Sequence, residues 1–127
     1  MAKRILIVDD DPGIRDVLSL ALDDEGYDSL SVAHGIAALA AMPTYRPHMI
    51  LLDLRMPLMN GQEFVAAYHQ QPGPHVPILV MTASRDALRD AANLPVAACL
   101  AKPFKLDIVM PLIERYTANN RDTPASM

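Results

Sequence analysis

Met49-Ile50-Leu51-Leu52-Asp53-Leu54-Arg55-Met56-Pro57 is a short, unbroken apolar run that ends in a single carboxylate. A run of this length reads as a strand buried on both faces, the kind found in a parallel sheet. Pro57 and, slightly later, Gly61 set a turn directly after it. A carboxylate at the end of a buried strand is costly unless something pairs with it. Asp53 therefore demands partners from elsewhere in the chain.

Four further segments resemble strands. Arg4-Ile5-Leu6-Ile7-Val8 is continuously apolar after its first residue and runs into Asp9-Asp10-Asp11-Pro12. Asp11 suits a helix N-cap and Pro12 the first helical position. Ile14, Val17, Leu18, Ala21 and Leu22 then form a stripe of helical period, which Gly26 stops. Residues 28–32 predict a weaker, edge strand, and residues 35–42 a helix through Ile36, Leu39 and Ala40, with Pro43 just beyond. After Asn60-Gly61 a helix places Phe64, Val65 and Tyr68 on one face and closes at Pro72-Gly73-Pro74. Residues 77–81 predict a fourth strand ending in Thr82, followed by a short helix capped by Ser84 with Leu88, Ala91 and Ala92 inward. Residues 96–101 predict a fifth strand ending in Lys102-Pro103. The last helix, 106–117, turns Val109, Leu112, Ile113 and Tyr116 to one side, and Pro111 requires it to start near Asp107 or to bend. Residues 3–117 thus form one domain, and 118–127 read as a polar tail.

Strand and helix alternate five times along the chain, with connections too long for hairpins. The pattern predicts an α/β fold, a parallel sheet with helices on both faces, whose ligands bind beyond the carboxyl ends of the strands. At 127 residues the chain is about one domain. Although 51% is hydrophobic, no segment is long and clean enough to span a bilayer. The basic start before the first strand is too short for a signal peptide, and the single cysteine, Cys99, gives no disulfide framework. A net charge of −4 gives no general attraction to nucleic acid or anionic lipid. These features lead us to expect a soluble cytoplasmic domain with no direct nucleic-acid or membrane partner.

Four of the five apolar runs end in a polar or charged residue: Asp9 and Asp10, Asp53, Thr82 and Lys102. In a parallel sheet those ends share one edge, and strand propensity alone does not ask for that coincidence. Three carboxylates and one ammonium then meet. Two like charges ~5 Å apart repel by roughly 3 kcal/mol at an effective dielectric near ~20. Such a site either raises a carboxylate pKa or recruits a divalent cation. Hard oxygen donors with few protein contacts favour Mg²⁺, which keeps waters and shares its shell with a phosphate. Asp53 then reads as a nucleophile that accepts a phosphoryl group. Lys102 and the metal neutralise its oxygens, and the Thr82 hydroxyl donates to one of them, turning a charge change into a shape change.

Asp9-Asp10, Asp53 with Met56-Pro57 and Gly61, Thr82-Ala83 and Lys102-Pro103-Phe104 resemble, in order, the motifs of response-regulator receiver domains of two-component signalling. The resemblance covers nearly the whole chain. It implies a doubly wound, five-stranded, flavodoxin-like sheet of order 2-1-3-4-5. It implies Mg²⁺ held directly by Asp10, Asp53 and the Arg55 backbone carbonyl, and by Asp9 through water. It makes Asp53 the phosphoacceptor, Thr82 the switch hydroxyl and Lys102 the phosphoryl contact, with a cis bond before Pro103. The phosphoryl donor would be a histidine kinase or a histidine phosphotransfer protein. The resemblance suggests a signalling switch rather than an enzyme turning over an external substrate, and it allows a homodimer. A phosphate sink or relay, or the receiver of a larger DNA-binding regulator, are the alternatives. The sequence departs from the family at Cys99, where an aromatic is common three residues before the lysine, in a shorter segment between Thr82 and Lys102, and at Pro111.

Plainer readings apply to other residues. Asp11 is a helix cap, Cys99 a small buried apolar residue, and the methionines core filler. His34, His48, His69 and His75 have no metal-ligand spacing and are expected at exposed turns and helix ends. Arg55 is either solvent-facing or an influence on phosphate lifetime.

Overall fold

Strands and helices alternate along residues 2–118, the part of the chain that the structure, a computed structural model, describes. They are β1 (Arg4–Val8), α1 (Pro12–Asp24), β2 (Asp28–Val32), α2 (Gly35–Tyr45), β3 (Met49–Asp53), α3 (Gly61–Gln70), β4 (Ile78–Thr82), α4 (Arg85–Ala91), β5 (Ala98–Ala101) and α5 (Leu106–Thr117). The strands lie in the order β2-β1-β3-β4-β5, and every pairing is parallel. Apart from Ala118, the tail expected over 118–127 lies outside the described residues. Among the described residues no helix is long and apolar enough to cross a membrane.

The side-chain period of two along a strand sorts the core into two layers. Leu6, Val8, Ile50, Leu52, Ile78 and Val80 face α2, α3 and α4, meeting Ala38, Met42, Phe64, Val65, Tyr68 and Ala91. Ile5, Ile7, Met49, Leu51, Leu79 and Met81 face α1 and α5, meeting Leu18, Leu22, Val109 and Ile113. Each buried Leu or Ile contributes about 2 kcal/mol. Every residue of central β3 is buried, whereas edge strand β2 has no buried residue.

Local chemistry sets the element ends. The Asp11 carboxylate accepts the Gly13 N–H at 2.8 Å, capping α1 before Pro12. Gly26 takes φ +86°, which lets Tyr27 N–H return to the Leu22 carbonyl at 2.9 Å and end that helix. Asn60 and Glu63 form a reciprocal capping box on α3, at 2.8 and 3.0 Å.

Several expectations need correction. Val17 is 49% exposed, because it lies off the line through Leu18 and Leu22 that meets the sheet. In α2, Ile36 and Ala40 face solvent, and Ala38 and Met42 supply the buried side with Leu39 packed against it. That helix also runs through Pro43 to Tyr45. Pro43 and Pro111 are both exposed, so each ring displaces no core side chain and costs its helix one backbone bond. The last helix spans Leu106–Thr117, as its apolar stripe predicts, with Pro111 inside it. In α4 Ala91 is buried and Ala92 exposed, because the helix ends between them. Cys99 is half-buried, packed against the α2–α4 layer, and burial raises its thiol pKa.

The histidines depart furthest from expectation. His48 is buried, accepting the Arg4 N–H on Nδ1 at 3.0 Å while its own N–H donates to the Arg4 carbonyl at 2.7 Å. This exchange fixes β3 beside β1. His34, His69 and His75 are half-buried. His34 caps α2, its Nδ1 accepting the Ala37 N–H at 3.2 Å.

Candidate functional site

Strand register carries the polar strand ends to one place. Val8 pairs with Leu52 and Asp53 with Met81, so Asp9, one residue past Val8, lies level with Asp53. Thr82 pairs with Ala101, and the Lys102 N–H donates to the Thr82 carbonyl at 2.8 Å, which brings Lys102 to the same edge. The bond between Lys102 and Pro103 is cis, as expected.

The Lys102 ammonium lies 2.7 Å from Asp9 Oδ2 and 3.4 Å from Asp53 Oδ2. Asp9 is fully buried and its other oxygen accepts the Asp11 N–H at 2.9 Å. Asp53 is buried too, and its Oδ1 accepts the Arg55 N–H at 3.2 Å. Asp10 is exposed at the mouth. One oxygen from each of Asp9, Asp10 and Asp53 lies within 4.8 Å of the others. Three hard carboxylate donors so grouped could hold a small divalent cation.

Burial pushes the Asp53 carboxyl above the ordinary carboxylate value. The Arg55 N–H and Lys102 oppose that rise, and Asp9 adds to it. For Lys102 burial acts downward, but the Asp9 hydrogen bond and the charges of Asp53 and Asp9 outweigh it and hold the ammonium above its usual value. Lys102 is thus charged at neutral pH and bound to two carboxylates at once. One ammonium offsets a single charge of three.

Thr82 is buried, and its Oγ1 accepts the Ser84 N–H at 3.3 Å. That leaves the hydroxyl proton available to a group beyond the strand end. Gly61 has no room for a side chain: a Cβ there would stand 2.6 Å from Leu54 Cα and 2.8 Å from the Asp53 carbonyl oxygen. The Gly61 N–H also donates to the Leu54 carbonyl at 3.0 Å, so the residue after Asp53 is clamped to the start of α3.

The structure brings together the expected Asp9, Asp10, Asp53 and Lys102, with Thr82 on the same edge. The Arg55 side chain faces solvent, and its contribution seen here is the backbone N–H on Asp53. Two contributors escaped the sequence reading. Arg15 donates to the Asp9 carbonyl at 2.7 Å, holding the loop that carries Asp9 and Asp10. Ser84 supplies the N–H on Thr82. Both bonds use a main-chain group, which no residue pattern reveals.

A doubly wound sheet with a carboxylate cluster and a lysine at its carboxyl edge defines a class of phosphate-handling α/β domains. The comparisons with known proteins narrow it. The family model described as the response regulator receiver domain matches residues 5–114, and the chain belongs to that family. It is 36% identical over 129 aligned positions to the DNA-binding response regulator MtrA of Mycolicibacterium smegmatis, covering 100% of this chain and 56% of that protein. The chain therefore spans about half the length of that relative. It is 32% identical to sporulation initiation phosphotransferase F of Bacillus subtilis over 118 residues, 91% of this chain and 94% of that one. Among solved structures, the chemotaxis protein CheY4 of Vibrio cholerae superposes with a TM-score of 0.80 at 32% identity, covering 91% of this chain and 99% of that one. Receiver domains of two-component systems are signalling switches, and the fold expected from the sequence is the fold observed.

Proposed function

We propose that Asp53 is the phosphoacceptor of a two-component switch, charged from a phosphohistidine on a histidine kinase or a histidine phosphotransfer protein. The observation that carries this reading is the meeting of Asp9, Asp10 and Asp53 within 4.8 Å, with Lys102 between two of them. Asp10, Asp53 and the Arg55 carbonyl would hold Mg²⁺ directly, and Asp9 through water. When bound, that ion supplies positive charge to the phosphoryl oxygens. The Asp53 carboxylate oxygen forms the new bond to phosphorus as the bond to the donor imidazole breaks, and the electron pair leaves on the imidazole nitrogen. Lys102 neutralises charge on the transferred group. Thr82 donates its hydroxyl proton to a phosphoryl oxygen, which draws the β4–α4 loop toward the site. The chain thus promotes its own modification rather than turning over an external substrate. We place it in the cytoplasm, where such donors present phosphohistidine, and assign it no direct contact with nucleic acid or membrane.

Incubation with acetyl phosphate and Mg²⁺, followed by intact mass, is expected to add one phosphoryl group to the wild type and none to Asp53→Ala. An unmodified wild-type chain would remove the reading.

A relay role is the second reading, favoured by the likeness to almost the whole of the sporulation phosphotransferase. It predicts that the phosphorylated chain returns its group to a histidine phosphotransfer protein within minutes, with unchanged affinity for other partners. The likeness to MtrA favours the receiver of a longer DNA-binding regulator, a reading that fails if the native reading frame stops at Met127.

A further inference from the structure

At the end of the sheet opposite Asp53, a cavity of about 360 Å³ opens between the C-terminal ends of α2 and α3. Small-molecule sites occupy about 300–1,000 Å³ and combine apolar walls with a few polar groups. This cavity does the same. Met42, Tyr68, Val76 and four prolines form its walls, and among the described residues no Asp or Glu lines it.

Hydrogen bonds fix both rims. The buried Tyr68 hydroxyl accepts the Val76 N–H at 2.9 Å, and the His75 ring meets the Gln71 carbonyl at 3.0 Å. On the other side, Arg4 Nε donates to the Tyr45 and Arg46 carbonyls, both at 3.0 Å. Arg46 sits at φ +53°, capping α2 by its N–H to the Met42 carbonyl at 3.0 Å. Pro43 and Pro47 on one rim and Pro72 and Pro74 on the other restrict the backbone further. The shape is therefore preformed, which lowers the ordering cost of a ligand.

Arg46 lines the cavity, and its guanidinium makes no hydrogen bond or ion pair among the described residues. An arginine on the lining of an apolar cavity can offer its guanidinium to a carboxylate attached to a flat apolar body. We propose that this cavity binds a small planar organic carboxylate, its body against Met42, Tyr68 and Val76 and its charge on Arg46. Neither Asp53 nor its phosphorylation enters the argument, so the two assignments stand or fall separately.

Naphthoate titrated into the isotope-labelled full chain tests this by amide NMR. Saturable shifts are expected within 42–47 and 68–76, and naphthylmethanol, neutral but of similar shape, should bind more weakly. Arg46→Gln should weaken naphthoate roughly fivefold, the upper range for an exposed ion pair. Arg46→Lys, which keeps the charge but not the planar fork, should fall between wild type and Arg46→Gln. Position 46 is exposed, and the shift dispersion of each variant reports directly whether it folds. Shifts centred on Asp53, shifts that never saturate, or equal affinity in Arg46→Gln would each overturn the assignment.

Discussion

The two ends of the sheet are closed by different means. At the carboxyl ends, Asp9, Asp53 and Thr82 are buried and Lys102 is nearly so, while Asp10 guards the mouth. At the amino ends, His48 exchanges two hydrogen bonds with Arg4, the Tyr68 hydroxyl holds Val76, and prolines line the rim. The second arrangement gathers no cluster of like charge: the main-chain N–H groups of Arg4, His48 and Val76 each meet a neutral acceptor. The first does gather one. Three carboxylates against one ammonium leave a formal charge of −3 + 1 = −2. A protein that needed only stability would close both ends in the second way. The charge left at the carboxyl end is a local conflict of the kind that marks a functional site.

Substituting Lys102 should produce the largest contrast. Lys102→Ala leaves Asp9 buried and both carboxylates without their cation, and removing one partner of a buried pair costs about 3 kcal/mol. Urea unfolding in EDTA at neutral pH measures it. Millimolar Mg²⁺ should restore part of the loss and should also stabilise the wild type, because a ligand that binds only the folded chain stabilises it by linkage. Equal midpoints for variant and wild type in EDTA would mean that the carboxylates do not repel as supposed, and the contrast between the ends would disappear.

Tyr68→Phe tests the other end with a smaller effect. It removes the hydroxyl that accepts the Val76 N–H and strands that buried donor, a loss of about 2 kcal/mol. No charge is involved, so the loss should be the same in EDTA and in Mg²⁺. A Mg²⁺-dependent loss would show that the two ends are coupled through the sheet.

The carboxyl end was far more legible in the sequence than the amino end, for a physical reason. Asp9, Asp53, Thr82 and Lys102 each follow an apolar run, so strand periodicity and parallel topology suffice to bring them together. His48, by contrast, precedes its strand and bonds main-chain atoms of Arg4, a pairing with no side-chain pattern on either side. Arg15 on the Asp9 carbonyl is hidden in the same way. The prolines misled by position: Pro43 stands where a helix would stop, yet on the solvent side of α2 it forfeits one bond and the helix continues to Tyr45. Period alone also cannot tell how wide a stripe the sheet will cover, which is why Val17 was expected inside and lies 49% exposed.

The smallest expected effect has the most specific sign. Because burial raises the folded-state pKa of Asp53 above its ordinary 3.8, the folded chain keeps a proton that the unfolded chain releases as pH rises from that value. Stability then falls through the window above 3.8 and stays lowered once the folded carboxyl has ionised. Asp53→Asn removes the ionisation and should raise Tm at pH 7 relative to wild type. Well below 3.8 wild type and variant should melt together, since Asp53 is then neutral in both states. Lys102 gives the alkaline counterpart. Its raised pKa means that the stability it adds is present below 10.5 and lost as pH climbs through the higher folded value. Thermal melts of both proteins in EDTA across this range would trace the two arms. A variant that melts below wild type at pH 7 would show the Asp53 carboxylate stabilising the fold, and the carboxyl end would then be as well satisfied as the amino end.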